Sequence, residues 1–218
     1  MSAIESKQAR VEATLRWAPV VAVVVIESLA DAVPLARALV SGGIKAIEVT
    51  LRTPVALDAI RAIAAEVDGA VTGAGTLLTP ADIAAAEKAG ARFGVSPGST
   101  SALLDAADDS ALPWLPGAAT ATEAMSLLER GYRFQKFFPA MQAGGPDYLR
   151  ALASPLPGIR FCPTGGITAA SAPDWLALPN VVCVGGSWMS TAKLLRAGDW
   201  PAVEDLARAA AALRLEAK

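Results

Sequence analysis

A lysine and a glutamate stand in this chain where side chains should turn away from solvent. Residues 135–140 read QKFFPA, and Tyr132, Phe134, Phe137 and Phe138 surround Lys136. Lysine is among the residues least often buried, and it is depleted in strands. Residues 46–54 read AIEVTLRTP. Side chains alternate faces along a strand, so Ile47, Val49 and Leu51 point one way while Glu48, Thr50 and Arg52 point the other. Lys136 and Phe138 share a face by the same rule. A charge inside a fold is costly unless it is paired or put to use. Two readings therefore stand side by side. Glu48 and Arg52 form a buried ion pair, or they act on a ligand. Lys136 pairs with Glu48, or it is a desolvated amine. Burial disfavours the ammonium form, and a free amine attacks a ketone carbon to give a Schiff base.

The residues that are missing narrow the chemistry. The chain has no histidine, so acid–base work falls to carboxylate, lysine, tyrosine, cysteine or water. Its two cysteines, Cys162 and Cys183, have neither C-x-x-C spacing nor a histidine partner. That predicts buried, reduced thiols and a cytoplasmic setting, with no metal site and no disulfide framework. Glycines cluster in PTGG at 163–166 and VGGS at 184–187. Glycine allows backbone N–H groups to approach an anion closely, and it equally marks ordinary turns. GAGT at 73–76 and SPG at 96–98 offer small, polar lining. Trp114, Trp175, Trp188 and Trp200 read as packing or surface residues.

The elements that must position these residues repeat along the chain. Strand-like runs occur at 20–26, 46–51, 70–76, 92–96, 113–116, 133–138, 159–163 and 181–184. Their starts lie 20 to 26 residues apart, room for a strand, a turn and a helix. Helix starts are marked by Thr53-Pro54, by Thr79-Pro80 and by Thr120 with Glu123; Ser28 or Asp31, and Thr168, mark others. Gly90 and Gly131 stand where helices should end. Eight such units predict an α/β fold, a (β/α)8 TIM barrel, over residues 1–218 as a single domain. Extra helices are expected at 6–15, at the N-terminus, and at 199–215. The rival, a doubly wound open sheet, usually has fewer strands and does not explain the even repeat. In a barrel the motifs above all fall at C-terminal strand ends, where active sites lie, and the loops after the seventh and eighth strands often take phosphate.

Composition excludes several classes. Of 218 residues, 53% are hydrophobic and 18% charged, which argues for a large core rather than disorder. A net charge of −2 argues against a basic surface for nucleic acid or anionic lipid. The longest apolar run, Ala18 to Ile26, is too short to span a bilayer, and as a strand it fits the repeat better than it fits a signal peptide.

EVTLRTP, GAGT, SPG, KFFPA, PTGG and VGGSW, in this order at strand ends, closely resemble the 2-keto-3-deoxy-6-phosphogluconate (KDPG) aldolases, which often also cleave 4-hydroxy-2-oxoglutarate (KHG). The resemblance covers nearly the whole chain; any one motif alone would be weak. It implies a class I (Schiff-base) aldolase, a homotrimer without metal or cofactor, acting on a small phosphorylated keto acid. It also implies roles. Lys136 matches the Schiff-base lysine and Glu48 the general acid–base residue. Arg52 and Thr76 match holders of the pyruvate carboxylate. Pro97 and Phe138 match pocket lining, and Thr164 a polar contact near the substrate hydroxyls. Gly165, Gly166, Gly186 and Ser187 match the phosphate region. The aldolase for the C4 epimer, 2-keto-3-deoxy-6-phosphogalactonate, is similar but often lacks the arginine of EVTLRT and the threonine of PTGG, so Arg52 and Thr164 favour the gluconate enzyme. A non-catalytic phosphosugar-binding barrel is the alternative of another class; the intact Glu48, Arg52 and Lys136 argue against it.

Overall fold

The structure, a computed structural model, describes residues 2–213. Valine, isoleucine and alanine dominate the first strands, β1 (Val20–Val24) and β2 (Ala46–Thr50), and every residue of both is buried. They are followed by β3 (Val71–Gly75), β4 (Gly94–Val95) and β5 (Trp114–Leu115). Then come β6 (Gly117–Ala118), β7 (Phe134–Phe137), β8 (Arg160–Pro163) and β9 (Val184–Gly186). Each pairing is parallel. One sheet runs β5-β4-β3-β2-β1-β9 and the other β6-β7-β8. Single bridges, Phe161 to Val181 and Thr164 to Gly185, join β8 to β9. On the other side β5 and β6 are one strand interrupted at Pro116, which has no N–H to give to a ladder. The sheet thus closes into the expected (β/α)8 barrel.

Alternation divides the strand residues as the sequence predicts. Ile47, Val49, Ala74 and Phe137 belong to the outer core beneath the helices. Val21, Ala46, Val71, Phe93, Leu115, Phe134 and Cys162 form a second cluster inside. Helices α1 (Ala3–Leu15), α2 (Leu29–Ser41), α3 (Ala56–Glu66), α4 (Pro80–Lys88) and α5 (Ser101–Asp109) alternate with the early strands. They are followed by α6 (Ala121–Glu129), α7 (Gly145–Leu152), α8 (Ala172–Leu176), α9 (Ala192–Ala197) and α10 (Trp200–Ala211). The N-terminal helix closes one end of the barrel. Val11 and Leu15 enter the inner cluster. Gln8 donates to the Trp114 carbonyl at 3.2 Å and accepts from the Phe134 N–H at 2.9 Å, at the N-terminal ends of β5 and β7.

Several boundaries differ from the sequence reading. Helix α1 starts at Ala3 rather than Ser6, because Ser2 and Glu5 make a capping box. Helix α3 starts at Ala56; Thr53 does not cap it, and its hydroxyl donates to the Ile26 carbonyl at 2.6 Å instead. Ser28 stands at the N-cap of α2 without a side-chain bond. Ser171, not Thr168, stands at the N-cap of α8. The last strand begins at Val184, where the sequence reading placed its end. Its pairing with β1, Val20 to Val184 and Ala22 to Gly186, draws both glycines into the sheet. The expected helix at 199–215 is seen as α10; residues 214 and 215 lie outside the described residues.

Candidate active site

Strands β2 and β7 are not neighbours in the sheet, so a contact between their inward side chains crosses the barrel. The Lys136 Nζ donates to Glu48 Oε1 at 3.0 Å. Both side chains are only 4% exposed. The adjacent strand makes the room. A Cβ on Gly75 would lie 2.2 Å from Glu48 Oε1, and one on Gly73 would lie 2.3 Å from the Phe93 ring. The GAGT motif is therefore less a lining than a space into which the carboxylate fits. Half-buried Phe138 presents its ring 5.3 Å from the Lys136 amine.

Taking two charges out of water costs several kcal/mol per ion, so such a pair adds little to stability on its own. It holds an amine beside a carboxylate. Transfer of one proton from the ammonium to the carboxylate leaves a free amine and a carboxylic acid, the two species that imine formation uses.

Arg52 does not pair with Glu48, contrary to one of the two sequence readings. Its Nε donates to the Thr76 hydroxyl at 3.1 Å, and the guanidinium is exposed at the mouth. Thr76 has φ +60, a left-handed conformation that a β-branched residue rarely adopts. Strain of this kind costs about 1–3 kcal/mol and persists where the surroundings impose it. Here it turns the hydroxyl towards Arg52. Buried Thr50, on the same face as Glu48, donates to the Val24 carbonyl at 3.0 Å and is spent on the sheet.

The remaining candidates gather at the ends of β4, β8 and β9. Half-buried Pro97 follows β4, and its backbone packs against Gly117, where a Cβ would come within 2.4 Å. Buried Thr164 lies over Gly185, where a Cβ would meet its Oγ1 at 2.2 Å. Gly165 and Gly166 have φ +109 and +74, so the turn after β8 needs glycine at both. Gly186 is the last residue of β9, and Ser187 is exposed. A cavity of about 650 Å³ opens beside this second group, lined by Ser187 but not by Lys136 or Glu48. The structure thus brings together Lys136, Glu48 and Phe138, with Arg52 on Thr76, and the glycine loop after β8 lies against this group, since a Cβ on Gly165 would fall 3.4 Å from the Phe138 ring.

Some contributors were not evident in the sequence. Gly75 was visible only as a small residue, and Gln8 carried no signal. Trp188, read as packing or surface, is half-buried and presses its ring on Gly186, where a Cβ would lie 2.0 Å away. Cys162 and Cys183 are both free and buried. Burial, and then a hydrogen bond with Cys162, pushes the Cys183 thiol well up from its usual range.

The family model for KDPG and KHG aldolase matches residues 11–206. The KHG/KDPG aldolase of Escherichia coli K12 is 50% identical over 199 residues, 91% of this chain and 93% of that protein. The structure of the Zymomonas mobilis ZM4 2-keto-3-deoxy-6-phosphogluconate aldolase with 3-phosphoglycerate superposes with a TM-score of 0.89 at 46% identity, covering 94% of this chain and 97% of that one. That of the Legionella pneumophila KDPG aldolase, with pyruvate captured at low pH as a covalent carbinolamine intermediate, does so with a TM-score of 0.90 at 43% identity, covering 92% and 98%.

Proposed function

Since the chain belongs to the KDPG and KHG aldolase family, we propose that it is a class I aldolase cleaving KDPG to pyruvate and glyceraldehyde 3-phosphate, and KHG to pyruvate and glyoxylate. The observation that carries the reading is the buried contact between the Lys136 amine and the Glu48 carboxylate at 3.0 Å.

Lys136 attacks the C2 ketone and forms a carbinolamine. Glu48, carrying the proton taken from the amine, returns it to the departing hydroxyl, and water leaves. The resulting iminium ion is an electron sink one bond from C3. Glu48, again a carboxylate, takes the C4 hydroxyl proton. The C3–C4 bond breaks, its electrons enter the enamine, and the aldehyde departs. Protonation at C3 and hydrolysis release pyruvate and the free amine. The pyruvate carbinolamine captured in the Legionella enzyme is an adduct of the kind this amine would form. Arg52 and Thr76 hold the keto-acid carboxylate; a guanidinium matches a carboxylate in a bidentate fork. Pro97 and Phe138 shape the pocket, and Thr164 meets the substrate hydroxyls. The backbone N–H groups at Gly165, Gly166, Gly186 and Ser187 receive the phosphate. Binding energy from that remote group helps place the reacting carbons.

A homotrimer acting in the cytoplasm completes the proposal, supported by the motif resemblance. No helix of the described residues is long and apolar enough to cross a membrane. The test is release of pyruvate from KDPG, followed with a coupled dehydrogenase. The wild-type protein turns over, and Lys136→Ala loses turnover while keeping its circular dichroism spectrum. Turnover retained in Lys136→Ala would overturn the assignment.

A further inference from the structure

A phosphate ester is close to a dianion at neutral pH, and neutral glycine N–H groups alone leave that charge uncompensated. Arg52, the cation at the mouth, is held by Thr76 at the carboxylate end. The cavity of about 650 Å³ beside the glycine loops borders both of them. Ile167 and Thr168 line it directly after Gly165–Gly166, and Ser187 and Trp188 directly after Gly186. The Trp188 ring that lines it also rests on Gly186. Among the described residues one basic side chain lines this cavity, Arg196 on α9. Among the described residues Arg196 takes part in none of the ion pairs, and it is exposed. Glu27 and Asp31, from the segment after β1, line the same cavity and also stand outside the ion pairs.

We propose that Arg196 is a specificity-determining residue that attracts the phosphate of the substrate, and that Glu27 and Asp31 oppose it. This rests on the aldolase reading above and adds to it a residue that fixes the preference for a phosphorylated tail. A guanidinium is always charged, is weakly hydrated and forks onto phosphate oxygens. The two carboxylates repel the same group, so the three side chains set the preference by difference. The exposure of Arg196 and Glu27 makes the effect sensitive to salt.

The experiment compares kcat/KM for KDPG with that for unphosphorylated 2-keto-3-deoxygluconate in the wild type and in Arg196→Gln, Arg196→Lys and Glu27→Gln. In Arg196→Gln the phosphorylated-to-unphosphorylated ratio falls by about threefold to fivefold. Arg196→Lys restores part of it, and Glu27→Gln raises it by about twofold to threefold. Added salt lowers the wild-type ratio more than that of Arg196→Gln. An unchanged ratio in Arg196→Gln, or equal loss on both substrates, would overturn the assignment of Arg196 while leaving the aldolase reading intact. A wild-type protein that cleaves neither substrate would overturn both.

Discussion

At the scale of single residues, the site depends on who occupies whose space. Glu48 reaches Lys136 because Gly75 has no side chain. In Gly75→Ala the new methyl would meet Glu48 Oε1 at 2.2 Å, so the carboxylate must move. Misplacement of about 1 Å can cost roughly a hundredfold in rate, and overpacking costs about 1–3 kcal/mol. Kinetics and thermal melting on one preparation should show kcat falling far more than that stability change explains. Glu48→Gln keeps the shape and removes the carboxylate. It should capture pyruvate on Lys136 more slowly, because dehydration also uses the carboxylate, and lose about 10²–10⁴-fold in turnover, read by comparing imine formation with steady-state cleavage. Alternation along AIEVTLRTP and QKFFPA was enough to place Glu48 and Lys136 inside. It did not choose between Arg52 and Lys136 as the partner of Glu48. That choice depends on barrel closure, which sets residues 88 positions apart against each other, and no local pattern encodes it.

At the scale of elements, signals of local chemistry were the most legible. Thr79 with Asp82 and Thr120 with Glu123 both form capping boxes, as a hydroxyl three residues before a carboxylate suggests. Backbone N–H donation from Ala119, the largest cause, opposed by burial and joined by Thr120, holds Glu123 below the usual carboxylate range. Because its folded value is depressed, its contribution to stability is complete above the unfolded value of about 4.3 and is lost as pH falls through the folded one. The stability difference between wild type and Glu123→Gln should therefore shrink as pH falls below about 4.3 and through the depressed folded value, as read by urea unfolding. Thr120→Ala should cost about 1 kcal/mol in the same assay. Signals that depend on tertiary neighbours were less legible. Gly185 and Gly186 look like punctuation, but both are paired with β1 in β9, and they must be glycine because Thr164 and Trp188 fill the space their side chains would take. Thr53 looks like a cap, but a nearby strand-end carbonyl claims its hydroxyl.

At the scale of the whole molecule, the closed end of the barrel supports the open one. Gln8 is the clasp, satisfying a carbonyl after β5 begins and an N–H where β7 begins. Lys7 beside it donates to the carbonyls of Ala107 and Asp108 at 2.9 and 2.7 Å, at the end of α5. Gln8→Ala leaves two buried backbone groups without partners and should cost about 1–3 kcal/mol for each, lowering the urea midpoint while the Michaelis constant stays near wild type. The repeat of eight units made the barrel legible. The plug was not, since only the position of α1 under the strands makes Gln8 more than a surface glutamine.

The proposed chemistry turns on whether Lys136 is the nucleophile. The most direct test is to incubate the protein with pyruvate and sodium borohydride and to map the adduct by mass spectrometry. A reduced pyruvyl group on Lys136 is the expected product. No adduct, or one on another lysine such as Lys45 or Lys193, would contradict it and leave the contact between Lys136 and Glu48 as a structural ion pair.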